Sequence, residues 1–127
     1  MAIRRIGSGG IYEDKAAYCR AVVAGGFVHV AGTTAQGETI PETMAGQCRS
    51  ALETIKAALA EAGSGFEHVV RVKYYLPDVS QFESCYPVLR EYFGANPPAA
   101  TMLECNLIDP KYLIEIELTA IAGEDAE

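Results

Sequence analysis

The side chains best suited to chemistry in this sequence are two glutamates near its end. Glu115 and Glu117 alternate with apolar residues over 112–121, and this period of two predicts a strand with both carboxylates on one face. A strand face buried in a core has no use for two carboxylates in a row. We therefore expect that face to meet water, a neighbouring subunit or a ligand cleft.

Tyr18 and Arg20 form a second group of interest, because a predicted strand over 16–23 would set them side by side on one face. Glu104, on another predicted strand, would join them on the face that carries Glu115. A carboxylate near an arginine and a phenol could orient a water molecule and hold an anionic substrate. The simpler interpretation is a salt bridge between strand charges at a subunit boundary.

Cysteine and histidine chemistry is less favoured. The four cysteines form no CxxC pair, and with only two histidines no zinc-ligand spacing exists, so we expect free, mostly buried thiols and no metal site. Cys105 and His29 could pair as nucleophile and base, but a cysteine within an apolar strand is more often a small core residue. No phosphate-binding, dinucleotide or GxSxG motif is present, and no cofactor is expected.

Charge and hydropathy exclude further classes. The net charge of −7, from 10 basic and 17 acidic residues, works against a nucleic-acid partner, because such proteins neutralise phosphates with Lys and Arg. No apolar run approaches the roughly 18 residues of a membrane span, and no apolar segment follows the N-terminal arginines as in a signal peptide. We therefore expect a cytoplasmic protein that does not bind membranes.

The elements that must position these residues form one domain, 1–127. Gly25-Gly26 predicts a hairpin turn, apolar spacing predicts a helix over 41–62, and a strand is predicted over 69–76. A second helix follows Ser80; Pro87 either bends it or restricts its regular part to residues beyond about 84. The loop over 32–37 is either a plain turn or the border of a site.

This order predicts an α+β fold, a mixed sheet with two helices on one face. Two helices cover only one face, yet the other face carries Tyr, Val and Leu among its charges. A surface of that kind is seldom left in water. We therefore expect the open face to be buried between subunits of an oligomer.

The chain resembles the reactive intermediate deaminase family, RidA or YjgF, over nearly its whole length. The resemblance is carried by Tyr18, the segments 30–34 and 98–101, the central strand that ends at Pro77, and the run 114–117. It implies a chorismate-mutase-like subunit in a homotrimer with clefts between subunits. It also implies hydrolysis of imines and enamines to a keto acid and ammonia, without metal or organic cofactor.

The resemblance assigns roles by position. It implies that Glu115 positions the attacking water and that Tyr18 lines the pocket. It places Ala100 where active members carry a carboxylate-binding arginine, and Met102 where many carry a cysteine. Similarly, Ala31, before Gly32, replaces a usual serine, and Tyr86 replaces an asparagine.

Two functions follow as expectations. In the first, the chain is an imine or enamine deaminase, acting on the usual substrates or on a non-standard one. Glu115 and Tyr18 are then catalytic, and Arg20 takes over anion binding unless Glu104 neutralises it. The remaining substrate-binding positions expected from the sequence are Ala31, Gly32, Tyr86, Ala100, Met102 and Glu104. In the second, the chain is a trimeric small-molecule binding protein without turnover. A ribonuclease activity ranks third because of the acidic balance.

Overall fold

A six-stranded mixed sheet forms the centre of the molecule, with the strand order β1-β2-β3-β6-β4-β5. Its strands are β1 (Arg4–Ile6), β2 (Ala21–Ala24), β3 (Phe27–Thr33), β4 (Val69–Leu76), β5 (Ala99–Glu104) and β6 (Glu115–Ile121). Strands β4 and β5 are parallel, and all other neighbouring pairs are antiparallel. The computed structural model describes residues 2–123, so the two ends of the predicted domain 1–127 lie outside the described residues.

Within residues 2–123, three α-helices accompany the sheet: α1 (Ile11–Lys15), α2 (Met44–Glu61) and α3 (Tyr86–Phe93). The long helix α2 begins three residues later than Pro41, because the Thr43 hydroxyl caps it by accepting a hydrogen bond from the Gly46 N–H at 3.1 Å. Its apolar stripe is buried as predicted. The short helix α1 was not predicted from the sequence.

The second predicted helix is divided in two. Asp78, not Ser80, caps the start, and residues Val79–Cys85 form a 3₁₀ helix before α3 begins at Tyr86. Pro87 then falls in the first turn of α3, where its missing N–H costs no hydrogen bond. Of the two alternatives for Pro87, the one that begins the regular helix near residue 84 is therefore confirmed.

The helices α2 and α3 cover one face of the sheet, which confirms the α+β fold. The core between them and the sheet is built from the alternate residues of each strand that point toward α2. In β6 these are Ile116, Leu118 and Ala120, all buried, while Glu115, Glu117 and Thr119 point to the opposite face. The predicted alternation of this strand is confirmed.

The opposite face, here called the open face, is covered by no element among residues 2–123. Cross-strand pairing sets charged and apolar side chains next to one another on it. Phe27 lies opposite Ile121, Lys73 opposite Glu117 and Leu103 next to Tyr75. The exposed Phe27, Leu103 and Ile121 make this face half apolar.

One predicted strand was wrong in its extent. The chain over 16–20 forms a turn after α1, with Ala17 in the left-handed region at φ 58°, and β2 begins only at Ala21. Tyr18 and Arg20 are therefore not neighbours on a strand face, as the predicted strand would have made them. The predicted strand over 112–121 likewise begins only at Glu115.

The segment before β6 is anchored on helix α2 by one side chain. The buried Gln47 amide donates to the Pro41 and Lys111 carbonyls at 2.9 Å, and its oxygen accepts from the Leu113 N–H at 2.7 Å. A buried amide with its hydrogen bonds satisfied fixes the chain it holds. Gln47 thus determines where β6 begins and where Glu115 lies. No helix among residues 2–123 has both the length and the apolar character to cross a membrane.

Candidate functional site

Glu115 is the first residue of β6 and lies on the open face beside a bulge in β3. Val30 pairs with Leu118 and Thr33 with Ile116, so β3 carries one extra residue opposite Glu117. Such a bulge bends a strand and redirects its side chains, and bulges often occur next to active sites. The extra residue falls at Ala31 and Gly32, two predicted site positions.

The glycine of this bulge makes room for the carboxylate. A Cβ atom at Gly32 would collide with Glu115 Oε2 and would lie 3.0 Å from Glu115 Cδ. Gly32 is half-buried, and its φ does not require glycine. The position therefore needs glycine for space, and the Glu115 carboxylate packs directly against the backbone there.

Burial raises the pKa of Glu115 above its ordinary value. The positive charge of Arg20 opposes this rise and the negative charge of Glu117 adds to it. No hydrogen bond or ion pair connects the Glu115 carboxylate to any other residue of the described chain. A half-buried carboxylate of this kind is available to a water molecule or a ligand.

Tyr75 is the cross-strand partner of Glu115 and bonds to the second glutamate. It lies directly opposite Glu115 in the pairing of β4 with β6, and its hydroxyl donates a short hydrogen bond to Glu117 Oε1. This hydrogen bond raises the pKa of Tyr75 to about 12. The phenol therefore stays protonated and holds the Glu117 carboxylate by a hydrogen bond, whereas the Glu115 carboxylate has no such bond within the described chain.

These residues line a cavity of about 290 Å³, here called the glutamate cavity. Its walls are Gly32, Tyr75, Cys105, Asn106, Leu107, Ile108, Glu115 and Glu117. Cys105 follows β5 and is exposed, which corrects the expectation of a core cysteine; Cys48 and Cys85 are buried as expected. His29 lies on the open face beside Thr119 and is not part of this wall.

A second cavity of about 410 Å³ also reaches Gly32 and contains Tyr18. We call it the tyrosine cavity, because its wall includes Tyr12, Tyr18 and Tyr112 together with residues 34–38. The loop over 32–37 is thus the border of a cavity. Tyr18 and Glu115 lie in different cavities that meet at Gly32.

Arg20 is not the free anion ligand that the sequence suggested. Its side chain is only 2% exposed, and its guanidinium donates to the Gly32 carbonyl at 2.8 Å and to Thr33 Oγ1 at 2.9 Å. Longer hydrogen bonds of 3.3 Å reach Ser8 Oγ and the Tyr18 hydroxyl. The guanidinium offers five N–H groups, and these partners, with Glu13, engage them.

Glu13, which the sequence did not single out, is the carboxylate that accompanies Arg20. Its Oε2 lies 3.6 Å from Arg20 Nη2, and both side chains are almost fully buried. Burial pushes the pKa of Glu13 up, but hydrogen bonds from Ser8 and Gly10 outweigh it and hold the pKa below its ordinary value. Glu13 thus takes the role expected of Glu104, and the predicted pairing of Glu104 with Arg20 is wrong.

The remaining predicted site residues lie on the helix side of the sheet. Ala100, Met102 and Glu104 pair in register with Val72, Tyr74 and Leu76, whose side chains point into the core. The three residues share one face, but it is not the face of Glu115, where Glu104 was expected. Because β5 is the edge strand of the sheet, these side chains are exposed all the same.

Tyr86 and Glu104 lie at the margin of this helix side. Tyr86 begins α3, is 44% exposed and meets Phe82 edge to face at 5.7 Å between ring centroids. Glu104 Oε2 accepts a hydrogen bond from the Val79 N–H at 3.2 Å. The structure therefore brings Gly32, Ala31 and Glu115 together and leaves Ala100, Met102, Glu104 and Tyr86 apart from them.

Tyr75 is the residue of this region that sequence reasoning missed. The alternation of residues 69–76 already assigns Tyr75 to the face of Arg71 and Lys73. Its pairing with Glu115 depends on which strand lies beside β6, and that information is absent from a local pattern. Within residues 2–123, no group of three or more His, Cys, Asp or Glu side chains is arranged to hold a metal ion.

Comparison with known proteins places the chain in a family. The family model described as Endoribonuclease L-PSP matches residues 12–122. A RutC family protein of Pyrococcus horikoshii is 36% identical over 107 residues, covering 81% of this chain and 85% of that protein. An uncharacterised protein of Streptomyces coelicolor is 34% identical over 129 residues, covering 96% of this chain and 94% of that protein.

Solved structures agree with this assignment. A member of the YjgF/YER057c/UK114 family from Mycobacterium tuberculosis is 37% identical, with a TM-score of 0.87, covering 95% of this chain and 100% of that one. A YjgF family member from Neisseria meningitidis is 29% identical with a TM-score of 0.83, covering 96% of each chain. The chain therefore belongs to the RidA/YjgF family, as its motifs suggested.

Proposed function

We propose that this protein hydrolyses imines or enamines to a carbonyl compound and ammonia, in clefts between the subunits of a homotrimer. The observation that carries the proposal is the Glu115 carboxylate, which is half-buried against Gly32 and has no partner among residues 2–123. Burial and the lack of a partner are what a general base for water requires.

The reaction follows from that carboxylate. Glu115 accepts a proton from water as the water oxygen bonds to the imine carbon, and the C=N electron pair moves to nitrogen, which gains a proton. The resulting carbinolamine loses ammonia as its hydroxyl proton departs and the C=O bond forms. In total, one water is consumed and one ammonia is released for each carbonyl product. Tyr18, in the adjoining tyrosine cavity, would contact the rest of the substrate.

The trimer is supported by surfaces that a single chain leaves exposed. All but one residue of β5 are exposed, including Met102 and Leu103. Phe27 and Ile121, at the start of β3 and the end of β6, are exposed on the open face. Large apolar side chains left in water on one sheet favour a further copy that covers them. In addition, Ala100 and Met102 can join Glu115 in one cleft only if they come from a second copy.

The test is ammonia release from freshly generated imines, with and without a carboxylate, compared with buffer alone. We expect catalysis by the wild type, a loss of about a hundredfold for Glu115→Gln, and no change for Glu42→Gln, which alters an exposed glutamate away from both cavities. A wild type no faster than buffer on every imine would refute the proposal. Sedimentation equilibrium measures the subunit number separately.

The second function, ligand binding without turnover, is favoured by the tyrosine cavity. It has about 410 Å³ of space, and the N–H groups of Arg20 on its wall are already bonded. Such a cavity can bind a small molecule without supplying a base. Thermal stabilisation by a ligand, with no product formed, would favour this function over the deaminase.

A ribonuclease activity is named by the description of the family model. The net charge of −7 works against the phosphate contacts on which RNA binding depends. We therefore expect no RNA affinity that falls steeply with salt. A fluorescence titration of a labelled RNA at two salt concentrations tests this directly.

A further inference from the structure

The glutamate cavity has an unbalanced negative charge. Two carboxylates, Glu115 and Glu117, contribute to its wall, and the wall contains no lysine, arginine or histidine. Only Glu117 has a hydrogen-bond donor, the neutral phenol of Tyr75. A phenol can share a carboxylate's charge but cannot cancel it, so the cavity remains anionic.

Arg20, the nearest cation to act on Glu115, does not neutralise this charge. Its field lowers the Glu115 pKa, yet the burial effect is larger and the net shift is upward. The guanidinium is held by the Gly32 carbonyl, Thr33 and the almost fully buried Glu13 carboxylate. The Glu13 carboxylate thus compensates most of the positive charge of Arg20, and the carboxylates of the glutamate cavity are not neutralised by it.

The basic residues of the open face form no ion pair with either glutamate of the cavity. Lys73 pairs across the strands with Glu117, and Arg71 with Thr119. Neither forms an ion pair with a carboxylate in residues 2–123, and Arg71 instead donates to Thr101 Oγ1 at 3.1 Å. Neither side chain contributes to the cavity wall.

An anion placed in this cavity would face two like charges at close range, which is unfavourable in a partly desolvated site. A cation with N–H groups would instead supply the donors that Glu115 lacks. Tyr75 and Asn106 complete a polar wall around it, and Leu107 and Ile108 offer contacts to an apolar body.

We propose that the cavity selects ligands with a protonated C=N group and no carboxylate, so that the substrate is an iminium cation of a simple amine rather than a 2-imino acid. This inference rests on the proposed function for the reaction. The binding preference itself is argued from the geometry and charge of the glutamate cavity, without any step of the reaction.

The test uses benzamidinium and benzoate, a cation and an anion of nearly the same size and shape. The planar amidinium stands in for the protonated C=N group and offers two N–H donors to a carboxylate. Isothermal titration at neutral pH with the full chain is expected to give benzamidinium an affinity at least about tenfold above that of benzoate. Benzoate binding as tightly, or binding of neither ion, would overturn the inference.

Variants locate the binding. Glu115→Gln is expected to weaken benzamidinium at least about tenfold, and Glu117→Gln to weaken it less because Tyr75 already shares that charge. Glu42→Gln, in an exposed position, serves as the matched control. Circular dichroism checks that each variant is folded. An unchanged affinity in Glu115→Gln would show that the cation binds elsewhere and would overturn the assignment.

Activity separates the inference from the proposed function. A preference for benzamidinium without ammonia release from any imine would leave the cavity as a cation site and refute the deaminase. Ammonia release from 2-iminopropionate, with simple iminium ions ignored, would support the deaminase and overturn the substrate class argued here.

Discussion

Ala100 and Glu115 lie on opposite faces of the same sheet, two strands apart. Glu115 pairs with Tyr75 on the open face, and Ala100 pairs with Val72, which points into the core on the helix side. Strand side chains alternate, so positions 72 and 75 must face opposite ways. The two sides of the proposed cleft therefore cannot meet within one chain.

An arginine at position 100 is expected to change the substrate. Ala100→Arg would place a guanidinium on the exposed edge strand β5. In the proposed trimer, this guanidinium would bind the carboxylate of a substrate in the cleft formed with a neighbouring copy. We expect kcat/KM for 2-iminopropionate to rise at least about tenfold. The matched control is Ala99→Arg, on the same strand but the opposite face; equal effects of both variants would contradict the arrangement.

Arg20 is expected to act on stability rather than on substrate affinity. Arg20→Ala leaves Glu13 buried without its cation and frees the Gly32 carbonyl, so we expect the free energy of unfolding to fall by about 3 kcal/mol. Urea denaturation measures this value. Arg49→Ala, which breaks an exposed pair with Glu91, should have a much smaller effect. If Arg20→Ala raised only KM at unchanged stability, Arg20 would be a substrate ligand after all.

Tyr75 is expected to determine the acid limb of the pH profile. Tyr75→Phe releases Glu117 from its hydrogen bond, and the unshielded charge raises the already raised pKa of Glu115 further. Activity needs the ionised form of Glu115, so as pH falls it should be lost at a higher pH than in the wild type.

The measurement for Tyr75 is kcat/KM against pH. Tyr92→Phe removes a similar phenol–carboxylate hydrogen bond, that of Tyr92 with Glu53, far from β6, and should leave the profile unchanged. The effect of Tyr75→Phe should also disappear in a Glu117→Gln background, because the two residues act as a pair. A shift that persists there would assign Tyr75 a role independent of Glu117.

Gly32 is expected to tolerate no side chain. A methyl group in Gly32→Ala would displace the Glu115 carboxylate, and such a displacement costs about a hundredfold in rate. Gly7→Ala is the control, since the nearest atom to its added Cβ lies at an ordinary 3.4 Å. Full activity of Gly32→Ala would remove Glu115 from the proposed chemistry.

Local patterns predicted the parts of this fold that depend on local physics. The alternation around Glu115, the apolar stripe of α2 and the hairpin at Gly25-Gly26 all follow from side-chain periodicity or turn chemistry, and all are present. The extent of β2 was wrong because residues 16–20 alternate by chance while their backbone turns at Ala17.

The site was harder to predict because it depends on pairing at long range. The contacts of Arg20 with Ser8, Glu13 and Thr33 join separate segments of the chain, and the spacing of these residues in the sequence does not predict them. The face of Glu104 was predicted wrongly for the same reason. Which face of the sheet each β5 side chain lies on is fixed only by the pairing of β5 with β4.

The separation of Ala100 and Met102 from Glu115 has a genetic consequence. If each cleft takes Glu115 from one copy and β5 from the next, Glu115→Gln removes one side of the cleft and Met102→Arg blocks the other. Each variant is then expected to be inactive alone. In a mixed assembly, some clefts combine the intact Glu115 of one chain with the intact β5 of the other. Two defective alleles would then complement each other when expressed together. Recovery of ammonia release on co-expression, but not on mixing stable homotrimers, is the expected outcome.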